Sequence, residues 1–480
     1  MKNNRRDFLK ISSLAGLGLA GGSVMKGFAS ETEQSNPMNS MYGHSTVQTF
    51  NMSGYAAPKI PIVRVGFIGL GQRGPSHLNA ISKIEGTEIK ALCDLRPASV
   101  EKAKKVIDGT SHNPTLYSGG PDEWKKLCDR KDIDLVYIAT PWHLHVPMAV
   151  YAMNQGKHVT IEVPAAVSMQ ECWQLVETSE RTRKHCMMLE NCCYDFFELL
   201  TLNMSRQGYF GEILHTEGAY IHNLIDLNFN DKGYQDMWRL RENATRKGSL
   251  YPTHGLGPVC QALNINRGDK MDYLVSVSTN DFQMGARAKE LAAKNDLYKE
   301  FANKDFNGNM NTTTIRTTKG KTIMIQHDVT SPRPYSRIHL LSGTKGTALK
   351  YPVPSISNSH EGWVKEAEFK ALEEKYTPNI VKKVGELAKK VGGHGGMDFL
   401  MNWRLIDCLR NGLPLDQDVY DAASWSCLFP LSQRSVAKNS RTVDIPDFTR
   451  GSWKTNKPHD MTLNGGATTK VRDVKPELKM

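Results

Sequence analysis

The sequence predicts an α/β fold joined to an α+β one: a doubly wound parallel sheet with helices on both faces, then an antiparallel sheet. Three observations predict it. Short apolar runs alternate with helical segments over residues 62–191. A glycine triplet, Gly69, Gly71 and Gly74, stands where the first run meets the first helix. After Asn191 the runs lengthen, alternate Thr with Ile and Val, and are separated by turn residues.

The first run, with Val63, Val65, Phe67 and Ile68, is short and apolar, as befits a strand buried on both faces. G-x-G-x-x-G follows at the strand-to-helix turn, and a second strand ends at Asp94, 20 residues past Gly74. This is a dinucleotide fingerprint in its required context, the first βα turn of a Rossmann sheet. Gly69 permits the tight turn, Gly71 lets backbone N–H groups approach a pyrophosphate, and Gly74 lets helix and strand pack closely. The helix N-terminus favours the phosphates. Asp94 suits a free ribose 2′-hydroxyl and repels a 2′-phosphate, so NAD is the expected cofactor; Arg96 leaves NADP as the alternative.

Residues 134–140 read as a further buried strand, 148–155 as helix, 158–162 as strand, 170–184 as helix and 187–190 as strand. Beyond Asn191 a helix is expected over 196–207, then strands over 212–223, 273–280, 311–318, 321–329, 337–342 and 347–351. Lys319-Gly320 and Thr344-Lys345-Gly346 read as hairpin turns, and the alternation over 312–325 favours antiparallel pairing. Residues 361–390 are charged and largely helical, while 398–411 and 421–439 are amphipathic helices that should pack back on the core. No internal repeat is present.

Before the first strand, Arg5 and Arg6 precede an apolar Gly/Ala-rich stretch over 11–20. This resembles a twin-arginine export signal, with cleavage near Ala29, and implies a periplasmic protein. The expected organisation is a signal peptide over 1–30, a linker or surface arm over 31–61, an NAD-binding domain over 62–191, a substrate domain over 192–440 and an extended tail over 441–480. The net charge of +11 is scattered and concentrated at the ends; without a basic stripe interleaved with aromatics, nucleic acid is not an expected partner. No apolar run beyond the leader is long enough to span a membrane. Nine cysteines without a C-x-x-C give no expectation of a metal site or an extensive disulfide framework.

Two further segments carry a family resemblance: A-T-P-W-H-L-H-V-P over 139–147 and G-K-H-V-T-I-E-V-P over 156–164. They resemble the Gfo/Idh/MocA oxidoreductases, which join a Rossmann domain to an antiparallel-sheet domain and carry T-P-x-x-x-H and E-K-P motifs. Here Val163 stands at the lysine of E-K-P. Valine neither donates nor accepts a proton, so the acid/base group lies elsewhere or the protein is inactive. G-S-L-Y-P-T-H-G-L-G-P over 248–258 offers His254, with Tyr251 three residues earlier, as the catalytic pair.

E-V-P together with Y-P-T-H-G-L-G-P resembles a narrower group, the NAD-dependent α-N-acetylgalactosaminidases of glycoside hydrolase family 109. Trp238, Tyr335 and G-G-H-G-G-M-D over 392–398 also match it. The resemblance implies cofactor contacts from Gly69, Gly71, Gln72, Arg73, Gly74, Asp94, Trp142, His143, Leu144, His145, Glu162, Val163, Asn191 and Tyr251. It implies sugar contacts from Tyr220, Arg239, Tyr251, Pro252, Thr253, His254 and Tyr335, although Tyr220 and Tyr335 have packing as an alternative role. The 392–396 run reads either as a lid bearing His394 or as the cap of the next helix. The implied reaction is retaining hydrolysis of terminal α-linked N-acetylgalactosamine through transient oxidation at C3, elimination and hydration. The alternatives are an exported sugar oxidoreductase with tightly held NAD(P), and a binding protein that has kept the fold. A homodimer through an exposed sheet face is an expectation of the same kind.

Overall fold

The structure, a computed structural model, describes residues 44–472. The expected signal peptide, residues 1–30, and the first part of the arm lie outside the described residues. Six strands form the first sheet: β1 Val63–Ile68, β2 Thr87–Cys93, β3 Thr115–Tyr117, β4 Leu135–Ile138, β5 His158–Ile161 and β6 Cys186–Met188. Helices α1 Arg73–Ser82, α2 Pro97–Val106, α3 Glu123–Asp129, α4 Trp142–Asn154 and α5 Met169–Thr182 connect them. The order is β3-β2-β1-β4-β5-β6, and every pair is parallel. The strands are apolar along their length, with all of β4 buried, because helices cover both faces. The order reverses between β1 and β4, the switch point at whose C-terminal strand ends open α/β sheets bind ligands.

After α6 Phe196–Arg206 comes a sheet of eight strands: β7 Ile213–Ile221, β8 Met271–Ser278, β9 Met310–Thr317, β10 Thr322–Asp328, β11 Leu340–Gly343, β12 Thr347–Leu349, β13 Ser355–Ser357 and β14 Val443–Asp444. Their order is β13-β12-β11-β7-β10-β9-β8-β14. The sheet is mostly antiparallel, but the central pair β7–β10 is parallel. No hairpin joins those two strands, so residue alternation carries no information on their relative direction. β13 and β14, three and two residues long, are too short to show alternation in sequence. The strand expected over 337–342 starts only at Leu340, because Ile338 and His339 take φ values of 59° and 51° and turn the chain.

Helices α7 Trp238–Thr245, α8 Thr253–Ala262 and α9 Met284–Ala292 lie within this half of the chain. The charged 361–390 stretch is two helices, α10 Glu366–Tyr376 and α11 Asn379–Val391, separated at Pro378. They are followed by α12 Met397–Asn411, α13 Val419–Ser426 and α14 Leu428–Ala437. α8 packs on β7 and α14 on β8, while α12 and α13 reach back onto α1 and α5 of the first sheet. The opposite face of the second sheet leaves Leu214 and Val277 exposed.

The segments flanking these elements are anchored. Met52 and Ala57 of the arm are buried, and the Met52 N–H donates to the Tyr420 hydroxyl (3.1 Å). That hydroxyl donates to buried Glu180 (2.9 Å), which also receives Arg450 Nη1 (2.9 Å). Asn51 donates to Asn456 (2.7 Å), and Ile445 and Phe448 are buried. The stretch after 441, expected as an extended tail, is therefore packed over most of its described length. Its few apolar residues lack a period that would reveal this in sequence.

Candidate active site

The glycine turn after β1 is built for a close-lying ligand. A Cβ at Gly69 would stand 2.5 Å from the Ala139 carbonyl oxygen, and one at Gly74 would stand 2.1 Å from the Gly69 carbonyl oxygen. Gly71, in contrast, faces open space, and Gln72 beside it is exposed. Two glycines thus close the turn, and the third leaves room over the N-terminus of α1, as a dinucleotide pyrophosphate requires. Asp94 ends β2 with one carboxylate oxygen accepting from Leu70 N (2.7 Å) and the other from Arg96 N (2.9 Å). The Arg96 guanidinium is bound to Gln235 and to Asp236 (2.5 Å), so the cation that left NADP open is already engaged.

Beneath this turn lies a buried polar network. Glu162 accepts from Arg73 Nε (3.0 Å) and from the Val163 N–H (3.1 Å), and it lies 2.7 Å from His77 Nε2. Arg73 continues to Asp398 (3.2 Å), whose second oxygen accepts from Asn191 (2.6 Å). Burial pushes the Glu162 and Asp398 carboxyls up. Arg73 and His77 at Glu162, and His394 and Arg73 at Asp398, outweigh it and hold both below the ordinary carboxylate range. Arg73, Glu162 and Asn191 are thus joined in one network, Asn191 through Asp398. His145 is a correction to the expected cofactor contacts. Its ring is fully buried between the carbonyls of Pro164 (2.9 Å) and Thr140 (2.8 Å), so it fixes the wall of the crevice and presents no ring nitrogen to it. His143 is exposed, Leu144 half-buried, and Trp142 is buried with its Nε1 donating to the Val163 carbonyl (3.2 Å).

The second half of the site comes from α8. A Cβ on Gly218 would lie 2.3 Å from the Gly255 carbonyl oxygen, and one on Gly257 would lie 2.9 Å from Glu190 Cγ. Bare backbone at these points lets α8 sit between β7 and the turn after β6, and this places His254 beside both. Tyr251 precedes the helix rather than lying one turn earlier within it, yet its ring meets that of His254 edge-on at 4.8 Å. Tyr220, on β7, lies 4.4 Å from Tyr251 and 5.4 Å from His254, ring to ring. Pro252 and buried Thr253 complete the turn.

His254 Nδ1 lies 2.7 and 3.0 Å from the two oxygens of Glu190, which is fully buried. Burial pushes the Glu190 carboxyl up, but the adjacent His254 more than offsets it, so Glu190 is an anion and an acceptor. It fixes the Nδ1–H tautomer and leaves Nε2 as the basic nitrogen. Sequence reasoning missed Glu190; its one signal was an acid directly after the apolar run that ends at Leu189.

Arg239 is buried among the rings of Trp142, Tyr220, Tyr234 and Tyr251, with 4.7 Å to the nearest centroid, and donates to the Tyr234 hydroxyl (2.7 Å). Among the described residues no carboxylate lies within ion-pair distance of it. Burial pushes the Tyr220 hydroxyl up to about 12, against the lowering effect of Arg239, and raises Tyr251 further. Both are neutral donors near neutral pH. Tyr335 sits in a loop, half exposed, and accepts from Arg337 (3.1 Å); its ring meets His222 at 5.0 Å, and His222 meets Tyr220. Of the two roles considered for the 392–396 loop, the structure displays the helix cap. Gly396 caps α12, while the half-exposed His394 ring stands 2.8 Å from Asp398.

A parallel sheet with a dinucleotide-type glycine turn, a mostly antiparallel partner sheet and a buried histidine–carboxylate pair define a two-domain member of the NAD-binding oxidoreductase fold. Residues 63–190 match the profile of the oxidoreductase family with an NAD-binding Rossmann fold, and 194–455 match that of the glycosyl hydrolase 109 C-terminal domain. The chain belongs to glycosyl hydrolase family 109. It is 53% identical over 418 residues to glycosyl hydrolase family 109 protein 1 of Bacteroides fragilis, covering 83% of this chain and 88% of that one. To an alpha-N-acetylgalactosaminidase of the same species it is 53% identical over 410 residues, covering 84% and 95%. Levoglucosan dehydrogenase in complex with NADH shares the fold, with a TM-score of 0.60 at 18% identity over 80% of this chain and 99% of that one. So does scyllo-inositol dehydrogenase from Lactobacillus casei with NAD(H) and scyllo-inositol, with a TM-score of 0.57 at 15% identity over 80% and 99%.

Proposed function

We propose that the protein is a retaining exo-glycosidase that removes terminal α-linked N-acetylgalactosamine, with NAD as a redox-neutral cofactor. The observation that carries this reading is the Glu190–His254 pair at 2.7 Å beside an unneutralised, buried Arg239, with Val163 where the related dehydrogenases place lysine. The glycine turn, Asp94 and the engaged Arg96 fit NAD, which when bound supplies a reversible hydride acceptor for the sugar C3.

The chain's own residues do the rest. His254 Nε2 takes the proton of the 3-hydroxyl, and Glu190 stabilises the resulting imidazolium. Arg239 and the Tyr251 and Tyr220 hydroxyls stabilise the negative charge that gathers on the C3 oxygen once a carbonyl there has acidified the C2 proton. Loss of that proton to a base would expel the aglycone from C1, and water would add to the resulting enone; NAD, when bound, would supply the chemistry that restores the C3 alcohol. The twin-arginine leader read from Arg5 and Arg6 supports a periplasmic setting, where a cofactor returned to its starting state at each turnover needs no external recycling.

The test is incubation with p-nitrophenyl α-N-acetylgalactosaminide without added cofactor. We expect nitrophenol release with no net rise in NADH absorbance. Net NADH formation from free sugar once NAD is supplied, without nitrophenol release, makes the protein a dehydrogenase instead.

A further inference from the structure

Cys192 lies buried behind the Glu190–His254 pair, and the reaction leaves it without a role. Its sulfur, a Glu190 carboxylate oxygen and a His254 ring nitrogen all lie within 4.8 Å of one another. Glu190 and Cys192 are buried, while the His254 side chain is 14% exposed toward the cleft. The geometry is stiff: Cys192 N–H donates to Glu190 Oε1 (3.1 Å), and α8 is held against Glu190 at Gly257. One thiol, one imidazole and one carboxylate is a donor set for a borderline-soft, tetrahedral cation. It does not suit magnesium or calcium, which take oxygen ligands. The spacing of these residues along the chain resembles no metal motif, so only the fold assembles the set.

We propose that Glu190, Cys192 and His254 form an inhibitory site for a thiophilic divalent cation, zinc foremost. The ion replaces the proton between His254 Nδ1 and Glu190 and takes Cys192 as thiolate. The ring proton of His254 shifts from Nδ1 to Nε2, the thiol proton passes to solvent, and water fills the fourth position. Tetrahedral zinc at about 2.0–2.3 Å from each donor requires side-chain shifts of about an ångström here. A divalent charge suffices to deprotonate a coordinating thiol, even a buried one. With zinc on Nδ1 and the proton on Nε2, His254 no longer takes a proton from a sugar hydroxyl. Inhibition rests on the proposed role of His254; cation binding does not.

The experiment uses the full chain with its cofactor. Zinc is titrated by calorimetry, and cobalt(II) is added separately to read the thiolate-to-cobalt absorption band. We expect one zinc per chain, a cobalt band, and loss of glycosidase turnover that EDTA reverses. Cys192→Ala is expected to keep turnover in the absence of zinc, to lose the cobalt band, and to weaken zinc binding by more than about tenfold, since one of three protein ligands is gone. Cys192→Ser serves if the alanine variant does not fold. No stoichiometric binding, or equal binding by both variants and the parent, overturns the site. Stoichiometric zinc with a cobalt band but undiminished turnover keeps the site and overturns His254 as the base.

Discussion

A carboxylate that solvent does not reach stands behind the ring of His254, and the chemistry of the site turns on it. Glu190 has no other cation within ion-pair distance among the described residues, so its charge is available to the imidazolium that forms during turnover. Glu190→Gln keeps shape and a hydrogen bond but removes that charge. We expect kcat to fall by about 10²-fold with KM nearly unchanged and NAD still bound, read by steady-state kinetics and cofactor absorbance. Unchanged kcat would assign Glu190 to structure alone. At this scale the sequence disclosed the residues that sit in motifs: His254 and Tyr251 in Y-P-T-H, Val163 in E-V-P. It did not disclose Glu190, because one acid after a strand looks like any other. Nor did it show that the His145 ring is closed off, since a motif conveys residue type and not the direction in which a ring points.

Elements meet where side chains are absent. Gly218 on β7 and Gly255 on α8 touch backbone to backbone, and the approach sets the depth of His254. Gly255→Ala would put a methyl carbon 2.3 Å from Ala219 N, so the helix must move out. We expect a loss of about 1–3 kcal/mol in unfolding free energy, with turnover falling further than stability, checked by denaturant titration beside the nitrophenol assay. Full turnover at parental stability would contradict the contact. The sequence made the elements themselves legible wherever a period ran long enough: β1, β4, β5, α5 and α6 fall within a few residues of expectation. It misplaced the start of β11, because the bend at Ile338 and His339 turns Arg337 onto Asp195 and Glu198 (2.6 and 2.7 Å), a contact between segments far apart in the chain. The parallel pairing of β7 with β10 was hidden for the same reason.

Across the whole molecule, several histidines are held neutral in the interior. Burial lowers His185 to about 4 and both His327 and His339 to about 3. An unfolded chain protonates these rings near pH 6.5. Between those values the unfolded state binds protons that the folded state refuses, so stability falls as the pH drops below about 6.5. Glu162 and Asp398, held below the ordinary range, add a second loss below about pH 4.5, where the unfolded carboxylates take up protons first. We expect Tm to be flat above about pH 7 and to decline continuously toward pH 4 in scanning calorimetry; a Tm that rises over that interval would show the rings to be charged in the fold.

The anchoring of the arm also sets an order of events during synthesis. Gln48 and Asn51 leave the ribosome early, yet their partners Tyr420 and Asn456 follow 372 and 405 residues later. At translation rates of about 5–20 residues per second, Gln48 and Asn51 wait roughly 20–80 s for these partners to exist. Closing a loop of that length is among the last steps a folding chain completes. Thr49 can meet Glu180 once the first domain has emerged, but the segment ahead of β1 gains its full set of partners only when the opposite end has arrived.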